Sequence, residues 1–141
     1  MQKTHQILDF ISTQEDAILT FNASDMKLAA HSDASYLSEP KSCSRAGGHF
    51  FPSSNSTILQ NNGAVLNIAR IIKHVMSLAT EAELEALYIM YIKAVYITIV
   101  LEEMEHKLPL TPLQTDNYMS EAVVNGKIQL KQTKAMYMHF H

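Results

Sequence analysis

At 141 residues, 47% of them apolar and 18% charged, the chain has the composition of one soluble domain. Its 4 glycines and 4 prolines are too few for a linker or a collagen-like polymer. A net charge of -3 with the histidines neutral excludes a generally basic nucleic-acid coat, because neutralising phosphates takes clustered Lys and Arg. Cys43 is the only cysteine, so no internal disulfide can form, and the first residues lack the apolar run of a signal peptide. An intracellular location, cytoplasmic or nuclear, is the expectation that follows.

In chain order, residues 5–21 place Ile7, Leu8, Phe10 and Ile11 at mixed helical spacing, with Ile18 and Leu19 after a polar stretch, which predicts a short helix and a turn. Residues 22–25 form a polar break. Residues 26–36 then predict a strand whose end delivers Asp33. A loop around Pro40 leads to a second strand near residues 45–51, where Gly47 and Gly48 suit a bulge or a close backbone approach. Asn61-Asn62-Gly63 is a hairpin signal, and residues 64–72 have the β-branched content of a third strand, completing an antiparallel three-strand meander.

Thr80 is the expected N-cap of a long helix, with Glu81 and Glu83 in its first turn, where carboxylates favour the positive end of the helix dipole. Leu84, Leu87, Tyr88, Tyr91, Val95 and Ile99 recur at helical spacing and predict its core-facing stripe, although Ile89, Ile92, Ile97 and Val100 leave no clear wet side. The stretch 84–101 is long and apolar, yet Glu85 and Lys93 lie inside it. Each would cost about 2.5–3.5 kcal/mol at a bilayer centre, so a buried helix is expected and no membrane partner. Residues 110–116 read as a fourth strand ending on Asp116, followed by a short helix over 120–125 that stops at Asn125-Gly126. After Glu121 the chain has no acid, while Lys127, Lys131 and Lys134 make a small basic run.

Phosphodiester hydrolysis by two divalent ions about 3.5–4 Å apart needs several carboxylates converging on one spot. Asp33 on a strand, Glu83 on a helix and Asp116 at the end of a second strand are the candidates for catalysis and for metal ligation. Spacing alone is a weak signal. The words around these residues are more specific: His31-Ser32-Asp33-Ala34-Ser35-Tyr36-Leu37, Ser44-Arg45-Ala46-Gly47-Gly48-His49-Phe50-Phe51, Ala79-Thr80-Glu81-Ala82-Glu83-Leu84-Glu85-Ala86-Leu87, Gln114-Thr115-Asp116-Asn117 and Lys134-Ala135-Met136-Tyr137-Met138 occur in that order.

Together they resemble the ribonuclease H domain that follows the reverse transcriptase in the Ty1/copia-type retrotransposon polyprotein. The resemblance covers residues 22–141, and residues 1–21 look like the tail of the preceding polymerase segment. It implies an α/β, RNase H-like mixed sheet with the meander, the long helix and a further strand. It also implies cleavage of the RNA strand of an RNA–DNA hybrid with Mg²⁺ or Mn²⁺. Asp33 matches the family's first-strand carboxylate, Glu83 its helix carboxylate within a Glu-x-x-Ala-Leu pattern, and Asp116 the acid ending the next strand; Glu81 is the runner-up on the helix.

The sequence also departs from the pattern. The family's fourth carboxylate lies in a downstream Ala-Asp pair, and Tyr137 stands where the family carries an acid. A copy lacking the C-terminal strand and helix is the corresponding expectation, with cleavage weak or lost. The alternative is a non-catalytic remnant that binds nucleic acid weakly.

Three other features have competing readings. His139 and His141 are spaced as metal ligands on a strand, or are solvated histidines. His31 is either structural or tunes Asp33. Cys43 with His49 is a thiol–imidazole pair, or a plain free thiol.

Overall fold

The computed structural model describes residues 2–14, 16, 18–55 and 61–127. Its elements are helix α1 (Gln2–Ser12), strands β1 (Lys27–Glu39), β2 (Cys43–Ser53) and β3 (Leu66–Ile72), helix α2 (Ala79–Glu103), strand β4 (Leu113–Thr115) and helix α3 (Tyr118–Val124). The strands form one mixed sheet in the order β3-β2-β1-β4, in which β1, β2 and β3 are an antiparallel meander and β4 lies parallel to β1. An antiparallel pair closes through a tight turn, here the 3₁₀ turn Pro40–Ser42. A parallel neighbour needs a crossover, which α2 supplies between β3 and β4.

Alternation along the strands decides which side α2 covers. Leu28 and Ala30 of β1, Ala46 and Phe50 of β2 and Ile72 of β3 form the core together with Ala86, Met90 and Ala94 of α2. The helix therefore docks on the sheet through Ala82, Ala86, Met90 and Ala94, spaced by four; of the stripe expected from its large residues, only Leu84 and Leu87 are buried. Tyr88, Tyr91, Val95 and Ile99 are exposed instead. Small side chains let helix and sheet approach closely, and Gly48 completes the fit, because a Cβ there would lie 1.9 Å from the Met90 sulfur. By length and composition α2 is apolar enough to cross a membrane, but its first half is a packed layer of this fold.

Two local signals act differently from expectation. The N-cap of α2 is Leu78 rather than Thr80; the Glu81 carboxylate reaches back to accept from the N–H of Ser77 at 2.8 Å and of Leu78 at 3.3 Å. Asn62-Gly63 is not a tight hairpin turn, since β3 begins only at Leu66. The Asn62 side chain instead donates to the carbonyls of Asn22 and Pro52 and accepts from the Asn22 N–H, and Gly63 leaves room for the Phe21 ring. The expected C-terminal turn of the last helix is present at Gly126, whose φ is +69°. Lys131, Lys134, His139 and His141, and the expectations attached to them, lie outside the described residues.

Candidate metal centre

Strand β4 is only three residues long, and its register pairs Ala30 with Leu113, His31 with Gln114 and Ser32 with Thr115. The next residue on each chain is Asp33 and Asp116, so two carboxylates emerge side by side where the β1–β4 ladder stops. Adjacent strands are about 4.8 Å apart, which sets the scale of their separation. Asp33 is thus in the interior of β1, which runs on to Glu39 beside β2 alone, and Asp116 follows β4 directly.

The end of β4 also leaves a backbone donor without a strand partner. The Ala30 N–H donates toward the β4 side, to the Pro112 carbonyl at 3.1 Å, and the N–H of Ala34 faces the same way by the alternation of the ladder. No strand residue remains to receive it. It donates instead to Glu83 Oε1 at 3.3 Å, which ties the helix carboxylate to the backbone beside Asp33. Glu83 is the fifth residue of α2, one position beyond the first turn; Glu81 occupies the capping role.

Asp33, Glu83 and Asp116 each bring a carboxylate oxygen within 4.8 Å of the other two. The two aspartates are exposed and Glu83 is buried. Burial, opposed by the Ala34 hydrogen bond but reinforced by the charges of Asp33 and Asp116, pushes the Glu83 carboxyl up to about 7. Its second oxygen, Oε2, is buried with no hydrogen-bond partner. A buried acceptor facing two like charges is the condition a hard cation relieves, and three carboxylates are the donor type such a cation selects. The cluster fits a divalent metal ion.

No family model, curated protein or solved structure matches the chain. The chemistry therefore stands on the site itself.

An open groove of about 1070 Å³ begins at Asp33 and Asp116 and continues between α2, β4 and α3 past Leu87, Tyr91 and Leu113. His31 also lines it. Its ring meets Phe51 edge-on at 5.1 Å and neighbours His49, whose Nδ1 is 2.8 Å from Asn67 Oδ1, so packing holds this residue on the face that carries Asp33. Cys43 and His49 are six positions apart along one strand, roughly 20 Å, and the thiol lies instead near the Lys73 carbonyl, which excludes a thiol–imidazole pair. Sequence reasoning missed the Ala34 N–H, because its role depends on where β4 ends. It also missed Asn117, whose side chain accepts from the Ser120 N–H at 3.0 Å and caps α3 directly after Asp116. The Asn-x-x-Ser spacing was a legible signal for that cap.

Proposed function

We propose that this chain is a metal-dependent nuclease domain of the ribonuclease H type, acting on the RNA strand of an RNA–DNA hybrid. Asp33, Glu83 and Asp116 would hold Mg²⁺ or Mn²⁺. One observation carries the reading: three acids from separate segments of the chain converge within 4.8 Å, with the buried one raised to about 7 by burial and its neighbours. The order of the elements supports it. A three-strand meander, a long helix and a short strand beside β1 are what the resemblance to the Ty1/copia-type domain implies, with Asp33 on β1, Glu83 on α2 and Asp116 directly after β4.

Divalent ions bound there supply an acidified water and a Lewis acid at the departing oxygen. The chain's own residues do the positioning. The Ala34 N–H fixes one oxygen of Glu83 and leaves Oε2 directed elsewhere, while Asp33 and Asp116 present exposed oxygens at the head of an open groove. Rigid placement of anionic ligands on strand and helix ends is what in-line displacement at phosphorus requires. Recognition of a hybrid would come from shape and 2′-hydroxyl contacts rather than from base edges.

The test is cleavage of a labelled RNA–DNA hybrid in Mg²⁺ or Mn²⁺ by the wild-type chain and by Asp33→Asn, Glu83→Gln and Asp116→Asn, with Mn²⁺ affinity measured by calorimetry. Each variant is expected to lose Mn²⁺ affinity by about tenfold or more, a change of roughly 1.4 kcal/mol, and to lose cleavage. Hybrid binding without cleavage by the wild type would leave a binding module only. Unchanged Mn²⁺ affinity in all three variants would remove the site.

A further inference from the structure

Strand register places His31 of β1 directly opposite His49 of β2. Alternation puts both side chains on the face turned away from Ala30, Phe50 and α2. The two rings share a floor: Phe51 is fully buried, and its ring centre lies 5.1 Å from that of His31 and 5.2 Å from that of His49. The imidazole centres themselves are 6.5 Å apart, with their planes at 66°.

His49 Nδ1 lies 2.8 Å from Asn67 Oδ1, an atom that can only accept, so in the neutral ring Nδ1 donates its proton there and Nε2 keeps the lone pair. His31 Nε2 is buried and has no hydrogen-bond partner. Edge-on packing against Phe51 accounts for the position of both rings, but it leaves that nitrogen unsatisfied.

We propose that His31 and His49 form a second metal site, in which the two Nε2 atoms take a borderline transition ion such as Zn²⁺. Imidazole suits such an ion, whereas carboxylates suit Mg²⁺ or Mn²⁺. With Zn–N bonds of about 2.0–2.1 Å, two rings on one tetrahedral ion have centres roughly 5–5.5 Å apart, so the pair closes by about 1 Å on binding. The Asn67 amide is the outer partner that holds the tautomer and the ring plane of His49. Both histidines are half-buried, and water fills the remaining coordination positions from the open side.

This site is separate from the carboxylate centre. Asp33 lies two positions further along the same face of β1, about 7 Å from His31, and the ligand atoms that converge within 4.8 Å there include no imidazole. The proposal therefore stands whether or not the chain is a nuclease.

The test is Zn²⁺ titration of the full chain by calorimetry in excess Mg²⁺, which competes for the carboxylates and not for imidazole, together with nitrogen NMR of the histidine rings. In the wild-type chain Zn²⁺ is expected to shift the Nε2 resonances of His31 and His49. His31→Gln and His49→Gln should each lower Zn²⁺ affinity by about tenfold or more, and the double variant little further, because one imidazole alone cannot chelate. Asn67→Ala should lower it by about tenfold, and Asn67→Asp, which keeps the acceptor, should restore it. Asp33→Asn should leave it unchanged.

Wild-type Zn²⁺ affinity in both single histidine variants, or Zn²⁺ shifts confined to other rings, overturns the proposal. Loss of affinity in His139→Gln/His141→Gln would assign the ion to that pair, and loss in Asp33→Asn would assign it to the carboxylates; either result also overturns it. Circular dichroism shows which variants keep the fold, and the ring shifts, read on the wild-type chain, decide the question for any that do not.

Discussion

Replacing Glu83 by Gln should make the metal-free protein more stable and the metal-bound protein less so. In the fold the Glu83 carboxyl titrates at about 7, against an ordinary value of 4.5, because it is buried and faces Asp33 and Asp116. Between those two values the folded chain holds a proton that the unfolded chain has lost. The free energy of unfolding therefore falls as pH rises from about 4.5 to 7, and above that the penalty is complete. The displacement corresponds to roughly 3 kcal/mol at 1.36 kcal/mol per pH unit, and screening by solvent at the two exposed aspartates reduces it to about 1–2 kcal/mol.

Glu83→Gln removes the charge and keeps an oxygen to accept from the Ala34 N–H. At pH 8 in EDTA the variant should melt roughly 3–8 °C above wild type, and near pH 4.5 the two should coincide. Adding Mn²⁺ should reverse the order, since a ligand that binds only the folded state stabilises it by RT ln(1 + [L]/Kd) and the variant has lost a ligand oxygen. Thermal melts followed by circular dichroism at both pH values, with EDTA and with MnCl₂, measure all four cases. A variant less stable than wild type at pH 8 in EDTA, or an equal rise in Tm for both proteins on adding Mn²⁺, refutes the reasoning.

Two further predictions separate neighbouring roles. Glu81→Ala removes the acceptor for the N–H groups of Ser77 and Leu78 and should cost about 1 kcal/mol in urea unfolding, while Mn²⁺ affinity stays at the wild-type value; loss of Mn²⁺ binding would transfer the helix-ligand role from Glu83 to Glu81. Gly48→Ala places a Cβ 1.9 Å from the sulfur of fully buried Met90 and should destabilise by about 1–3 kcal/mol. Combined with Met90→Ala, it should cost less than the sum of the two single changes, and strict additivity would show that the contact does not limit packing.

The strands and the three acids were legible in the sequence because their signals are local. A short apolar run marks β1, paired glycines before Phe50 and Phe51 mark β2 and β-branched residues mark β3, while Glu83 and Asp116 fall near element boundaries and Asp33 lies mid-strand, where the β1–β4 ladder stops. The docking face of α2 was not. The helix is apolar all round, so periodicity favoured its large residues, whereas the sheet accepts small ones: Ala82, Ala86 and Ala94 allow the close approach that Gly48 and Met90 then fill. Asn62-Gly63 misled for a related reason. That pair suits a tight turn, but here the amide is used by Asn22 and Pro52, which are 40 and 10 residues away in sequence. The Ala34 N–H carries no side-chain signal at all, and its role follows only from the shortness of β4.

That shortness links fold and site. If β4 continued in register beyond Thr115, the backbone after Asp116 would take the Ala34 N–H into the ladder, and Glu83 would lose the bond that holds it beside Asp33. Ending the strand there converts one unpaired backbone donor into the anchor of a buried carboxylate and leaves two aspartates facing it across the end of the ladder. The arrangement is unfavourable without a cation, since three acids share a space of 4.8 Å and one is drawn toward neutrality to tolerate it. Protons and metal ions then compete for Glu83, so metal affinity must rise with pH through about 7, and the same geometry that lowers the stability of the empty fold is what a divalent ion would bind.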